Sequence, residues 1–190
     1  MMGHGFHCEQ CPGGTGKMSS KRDRTWLTRY RKERQKNILA APGPHEFVLI
    51  LDQLKTGFNV PKIFRSAEAF GAAGVHLINI GPFDPSPAKG SFRKVPAVFH
   101  EDFGACYQLL ADQGYHFFQL CADAETPLYR VEFPARSAFV FGHEEFGFSF
   151  DQGAYADIHP LAIPQFGSVH CLNVSNAATL AMYEYIRQFS

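Results

Sequence analysis

The chain has 190 residues, a formal net charge of zero and a hydrophobic fraction of 45%. This length fits one domain with a small appendage, and no apolar run approaches the roughly eighteen residues that span a bilayer, so we expect no membrane partner. The five cysteines are scattered and odd in number and no signal-peptide pattern is present, which favours a reduced cytoplasmic protein over a disulfide-bonded secreted one.

Residues 1–18 are rich in glycine and poor in aliphatic side chains, which predicts a flexible leader or a cloning remnant. Four potential zinc ligands occur there: His4, His7, Cys8 and Cys11. Their spacing matches no common zinc finger, and no second pair of ligands follows at the usual distance. We therefore predict no metal site.

A strongly basic segment follows the leader. Between residues 21 and 36, eight basic side chains are opposed by two acidic ones, so the segment carries a charge of +6. The serine pair before it can cap a helix, which we expect to run to about Ala41, where a Pro-Gly-Pro sequence stops it. These features predict a basic N-terminal helix within residues 19–44.

Apolar and aromatic side chains interleave with these charges at Trp26, Leu27 and Tyr30. The mixture suits a segment that contacts phosphates while its rings stack on bases or pack on the body, although a solvated helix face would also explain the charges. The candidate nucleic-acid contacts are Arg22, Arg24, Arg29, Arg31 and Lys32 here, and Lys89 and Arg93 in a later proline-rich loop.

Strands and helices alternate in the rest of the chain, over residues 45–190. Apolar runs predict strands at 46–52, 75–80, 115–122, 137–141 and 158–163. Helical spacing predicts helices up to Phe70, over 101–113, and after the N-cap residues Asn173 or Ser175, while residues 81–96 form a long loop. This alternation is typical of an α/β domain with a mostly parallel sheet flanked by helices.

Three loops follow strands of this sheet, at residues 53–65, 142–149 and 163–175. The last of them could be an ordinary helix-capping loop. However, loops at the carboxyl ends of parallel strands are where such sheets bind ligands, so the three together predict a binding site.

Common nucleotide and hydrolase motifs are missing from these loops. The first strand is followed by LDQLKTGFN, without the glycine fingerprint of dinucleotide-binding proteins, and the glycines near Lys17 have no strand before them. No G-x-S-x-G sequence occurs either. Hydride transfer, conventional nucleotide hydrolysis and ester hydrolysis are therefore disfavoured.

The same loops resemble the three motifs of the SpoU (TrmH-like) RNA ribose 2′-O-methyltransferases, of the SPOUT superfamily. Asn59–Gly71 is similar to the first motif, Phe141–Ser149 to the second and Ile163–Gln188 to the third, in the family's order. The resemblance implies an α/β fold with a deep C-terminal trefoil knot. It also implies S-adenosylmethionine as cofactor, a tRNA or rRNA substrate, no metal, and a homodimer formed through the C-terminal helix.

The resemblance further assigns roles to particular residues. The catalytic candidates are Asn59, Arg65, Glu144 and Asn173, and the cofactor-binding candidates are Leu120, Cys121, Phe141, Gly142, Ile163, Gly167, Cys171 and Leu172. Because a guanidinium stays protonated in proteins, Arg65 suits a clamp on phosphate and hydroxyl better than a general base. Glu144 is expected to hold Arg65 or its own loop, and Asn173 to contact substrate or Arg65, although helix capping alone would explain Asn173.

One residue departs from the family pattern. Cys171 stands where the family commonly has serine, and a thiol is a weaker hydrogen-bonding group than a hydroxyl. A methyltransferase is the leading hypothesis. The alternatives are a catalytically weak or inactive RNA-binding protein that retains the cofactor pocket, and a protein that binds small nucleotides.

Overall fold

The computed structural model describes residues 21–169 and 171–189, except for the side chains of residues 21–24. Within these residues the centre of the fold is a sheet of six strands, all paired in parallel, in the order β3-β2-β1-β5-β4-β6. The strands are β1 (Val48–Asp52), β2 (Gly74–Ile78), β3 (Ala97–His100), β4 (His116–Leu120), β5 (Ser137–Phe141) and β6 (Ile158–Leu161). The predicted α/β class with a parallel sheet is confirmed.

Helices cover both faces of the sheet. On one face lie α1 (Lys21–Asn37), α2 (Asn59–Ala69) and α4 (Val174–Phe189), and on the other lies α3 (Phe103–Asp112). Strand β1 shows why both faces are needed, because Leu49 and Leu51 join one buried cluster while Val48 and Ile50 join the other. A strand that is apolar on both sides has to be covered on both sides.

The basic helix α1 is shorter than predicted and is fixed to the body. It ends at Asn37 rather than near Ala41. The buried Asn37 amide donates to the carbonyls of Phe92 (2.5 Å) and Val95 (2.6 Å) and accepts from the Ala97 N–H (3.1 Å). These bonds tie the last turn of α1 to the segment that leads into β3, so the chain leaves the helix there.

Strand β3 was missed by the sequence-based prediction. It has four residues and lies at the edge of the described sheet. There it pairs with β2, and Ala97 lies opposite Val75. Its side chains are half-buried or exposed, so the apolar run that marks a buried strand is absent. The long loop before it also contains two short 3-10 turns, Ser86–Ala88 and Ser91–Arg93.

None of the helices in the described ranges combines the length and apolar character that a membrane crossing requires. The trefoil knot stays a prediction. The N-terminal segment 1–18 and its four potential metal ligands lie outside the described residues.

Candidate active site

The three motif loops follow β1, β5 and β6 and meet at the carboxyl edge of the sheet. The Asn59 Nδ2 donates to Glu144 Oε1 at 2.7 Å, and the Asn173 Nδ2 donates to Asn59 Oδ1 at 3.1 Å. One side chain from each motif therefore belongs to a continuous chain of hydrogen bonds. Asn59 is the central residue of this chain, because its amide uses both its donor and its acceptor.

Glu144 is held in its charged form. Partial burial raises the pKa of its carboxyl, but the hydrogen bonds from Asn59 and from backbone N–H groups outweigh this effect, so the pKa lies below its usual value. One of those backbone donors is Lys55, whose N lies 3.3 Å from Glu144 Oε2. Glu144 thus binds to the loop after β1 and to the start of α2, rather than to Arg65.

Asn173 caps α4, and its remaining side-chain contact is with Asn59 rather than with Arg65. Its Oδ1 accepts from the Ser175 N (3.0 Å) and Oγ (2.6 Å), which caps α4, while its Nδ2 reaches Asn59. Because one amide does both, the start of α4 is fixed relative to the start of α2.

Arg65 lies on α2 and is exposed to solvent. Among the described residues its guanidinium has no hydrogen-bond or ion-pair partner. This exposed cation lies on the same helix as Asn59, six residues further along the chain, and its five N–H donors are unused by the described residues.

A cavity of about 410 Å³ adjoins this hydrogen-bonded chain, with a volume typical of small-molecule sites. All the predicted cofactor-binding residues except Gly167 line it. Glu144 and Asn173 also form part of its wall. The lining residues that sequence reasoning missed are Ala122, His143, Gln165, Val174 and Ala177. Ala122, His143 and Val174 each adjoin a predicted residue, and Gln165 lies two positions from one. Ala177 is one helical turn after Asn173, so helical spacing could have found it.

The chemistry of the cavity fits the cofactor. Leu120, Phe141, Ile163 and Leu172 supply apolar surface for a purine ring. At Gly142 an added Cβ would lie 2.8 Å from the backbone of Gly147, so only glycine leaves this part of the wall open without moving the loop.

The loop at residues 142–149 is tightly constrained. Two backbone hydrogen bonds between His143 and Gly147, at 2.7 and 2.9 Å, close a turn within it. The buried Asp52 carboxylate accepts from the Ser149 N (2.6 Å) and Oγ (2.7 Å). Burial raises the pKa of Asp52, an effect that the two bonds from Ser149 partly oppose. A buried carboxylate held in this way fixes the loop to the end of β1.

The predicted nucleic-acid contacts lie on α1 and on the loop that packs against it. Tyr30 of α1 stacks on Phe92 at 5.6 Å between ring centroids, and Arg29 donates to the Ser86 hydroxyl. The side chains of Arg31, Lys32, Lys89 and Arg93 are exposed, and those of Arg22 and Arg24 lie outside the described residues. We call the exposed cations of α1 and of this loop the basic surface.

The sequence matches the model of the SpoU rRNA methylase family over residues 46–183. This chain belongs to that family. The match contains the first two motifs and the third as far as residue 183, and it begins after α1.

Similar proteins and solved structures agree with this assignment. A tRNA (guanosine(18)-2′-O)-methyltransferase of Thermus thermophilus is 27% identical over 166 residues, which cover 85% of this chain and 84% of that protein. A structure from work on the 2-OH methylation of C/U34 on tRNA is 30% identical with a TM-score of 0.66, and it covers 77% of this chain and 98% of that one. The methyltransferase AviRb of Streptomyces viridochromogenes, in complex with AdoMet, shares the fold at 24% identity and a TM-score of 0.67, over 78% of this chain and 62% of that one.

Proposed function

We propose that this chain transfers a methyl group from S-adenosylmethionine to a ribose 2′-hydroxyl of tRNA or rRNA. The observation that carries the proposal is the hydrogen-bonded chain Asn173–Asn59–Glu144, which joins all three motifs at the wall of the cavity. The similar proteins are named for methylation of guanosine or of C/U34 in tRNA, and these names support ribose methylation as the reaction.

The residues at this site suit methyl transfer. When bound, S-adenosylmethionine supplies a methyl group that its sulfonium charge activates for attack by the ribose oxygen. The exposed Arg65 guanidinium binds the neighbouring phosphate and stabilises the negative charge that develops on the 2′-oxygen as its proton leaves. Because Arg65 stays protonated, the proton passes to the substrate phosphate or to water. Asn59 and Glu144 hold α2, and so Arg65, in place.

The basic surface is the proposed RNA contact outside the active site. Its exposed cations are suited to the phosphates of a folded RNA. An RNA substrate of this kind would be met in the cytoplasm, which we propose as the site of action.

A homodimer through α4 is part of the proposal. The outer side of this helix exposes Leu180 and Tyr183, which are three residues apart and have exposed fractions of 42% and 55%. Apolar side chains that recur along one helix face indicate a partner surface. We expect Tyr183→Glu to convert a dimer into a monomer in sedimentation velocity runs, because a charge would be buried at the interface. A wild-type chain that sediments as a monomer would contradict the dimer.

Cys171 favours the second candidate, an RNA-binding protein without turnover. It is exposed at the cavity wall, so the thiol stands where it would face the cofactor. Transfer of labelled methyl to bulk tRNA and rRNA decides between the candidates. If the wild-type chain labels no class of RNA, the enzyme proposal is overturned.

Arg65→Ala tests the proposed mechanism. We expect transfer to fall by about 100-fold or more, the size of effect seen when a charge-stabilising donor is removed. Cofactor affinity, measured by calorimetry, should stay within about threefold, because Arg65 does not line the cavity. Lys62→Ala, an exposed cation on the same helix, is the matched control. Equal loss of transfer and of cofactor binding would show that Arg65 is structural.

A further inference from the structure

A second cluster of reactive side chains lies on the other face of the sheet. His76 of β2 and Cys106 of α3 are buried, and His100 at the end of β3 is half-buried. Their ligating atoms all lie within 4.8 Å of one another, and His76 Nδ1 is 2.9 Å from His100 Nε2. None of the three lines the cavity of the active site.

These three side chains form a donor set that suits zinc. Imidazole nitrogens and a thiolate sulfur are its preferred ligands, at bond lengths of roughly 2.0–2.3 Å. Tetrahedral bonds of that length place ligand atoms roughly 3.3–3.8 Å apart, so modest side-chain rotations would bring the three atoms onto one ion. The ligands come from three different elements, so a bound ion would join separate segments of the chain.

The surroundings also compensate the charge. Zn²⁺ with one thiolate carries a net charge of +1. Asp102, which caps α3 through its bond to the Ala105 N (2.8 Å), acts electrostatically on His100. The half-buried side of His100 gives the ion a path from solvent.

We propose that His76, His100 and Cys106 bind one Zn²⁺, with water as the fourth ligand, and that the ion ties β3 and α3 to β2. A hydrogen bond between two neutral imidazoles would satisfy the same nitrogens without an ion. The ion would replace that bond, and Cys106 would lose its proton on binding.

The experiment uses the full metal-free chain and Co²⁺ as a spectroscopic substitute for Zn²⁺. We expect one equivalent of Co²⁺ to give a thiolate-to-metal absorption band that Zn²⁺ displaces, and Zn²⁺ to raise the melting temperature. Cys106→Ser should remove the band and weaken Zn²⁺ binding by at least about tenfold. Cys121→Ser is the matched control, because this thiol lies outside the cluster. Should Cys106→Ser fail to fold, His100→Gln replaces it, with weakened Zn²⁺ binding as the expected result.

The N-terminal His4, His7, Cys8 and Cys11 require their own control, in which all four are replaced together by Ala or Ser. Retention of the band in this variant supports the proposal. Absence of any band in the wild-type chain, a band that survives Cys106→Ser, or a band lost only with the N-terminal ligands would each overturn it. Methyl transfer is measured separately, so failure of the zinc site leaves the proposed function unaffected.

Discussion

Asn59→Asp tests the central residue of the hydrogen-bonded chain with a change of a single atom. The substitution keeps the oxygen that accepts from Asn173, but it places a second carboxylate oxygen where Nδ2 now lies, 2.7 Å from Glu144 Oε1. A favourable contact becomes repulsion between two like charges.

The loss of stability can be estimated from this geometry. A hydrogen bond to a charged group is worth about 1.5–3 kcal/mol. Two charges about 4 Å apart repel by about 1 kcal/mol in water and about 4 kcal/mol near a protein surface, and the exposure of Glu144 favours the lower end. We therefore expect Asn59→Asp to lower the free energy of unfolding by about 2–4 kcal/mol at pH 8.

The sign of the pH dependence follows from which state binds the proton. In the wild type the pKa of Glu144 is lowered, so its contribution is present above the unfolded pKa of 4.5 and is lost as the pH falls through the folded pKa. In Asn59→Asp the two carboxylates raise each other's pKa, and the folded state then binds a proton that the unfolded state releases. The variant's deficit, which is its loss of unfolding free energy relative to the wild type, should therefore shrink as the pH falls from 8 to 5.

Urea unfolding of both proteins at pH 5 and pH 8 measures the deficit. Asn79→Asp is the control, because Asn79 is exposed and lies outside the hydrogen-bonded chain. A deficit that is the same at both pH values, within about 0.5 kcal/mol, would refute the contact between Asn59 and Glu144.

Two further predictions concern the cofactor and the RNA. Gly142→Ala should weaken S-adenosylmethionine binding by about tenfold or more in calorimetry, because the new Cβ would push the loop away from Gly147, whereas Gly57→Ala, which has open space around it, should not. Replacing Arg31 and Lys32 together by Gln should weaken tRNA binding and lower the slope of log affinity against log salt by up to about 0.9 per lost phosphate contact. Unchanged affinity and slope would remove these two cations from the RNA contact.

Periodicity in the sequence was enough to predict the central strands. The apolar runs at β1 and β5 are buried on both faces, and β5 has the bounds predicted for it, Ser137–Phe141. The edge strand β3 could not be predicted in this way, because an edge position does not require a continuous apolar run. Residues 97–100 become a strand only because β2 lies beside them.

The site was predicted as a set of residues but not as a set of contacts. Motif resemblance placed Asn59, Glu144 and Asn173 in one site, yet only the structure shows that Asn59 joins the other two. The spacing of residues 59, 144 and 173 contains no information about which side chains pair. Those pairings depend on the order of β1, β5, β4 and β6 in the sheet.

The anchoring of α1 by Asn37 has a consequence for truncation experiments. Deleting the helix would leave three backbone groups of the β3 segment without their partner and would expose the rings that pack on Tyr30. A shortened chain would then lose RNA affinity whether or not the helix touches RNA, because the body itself would be destabilised. Only substitutions on the outward face of α1 can separate recognition from folding.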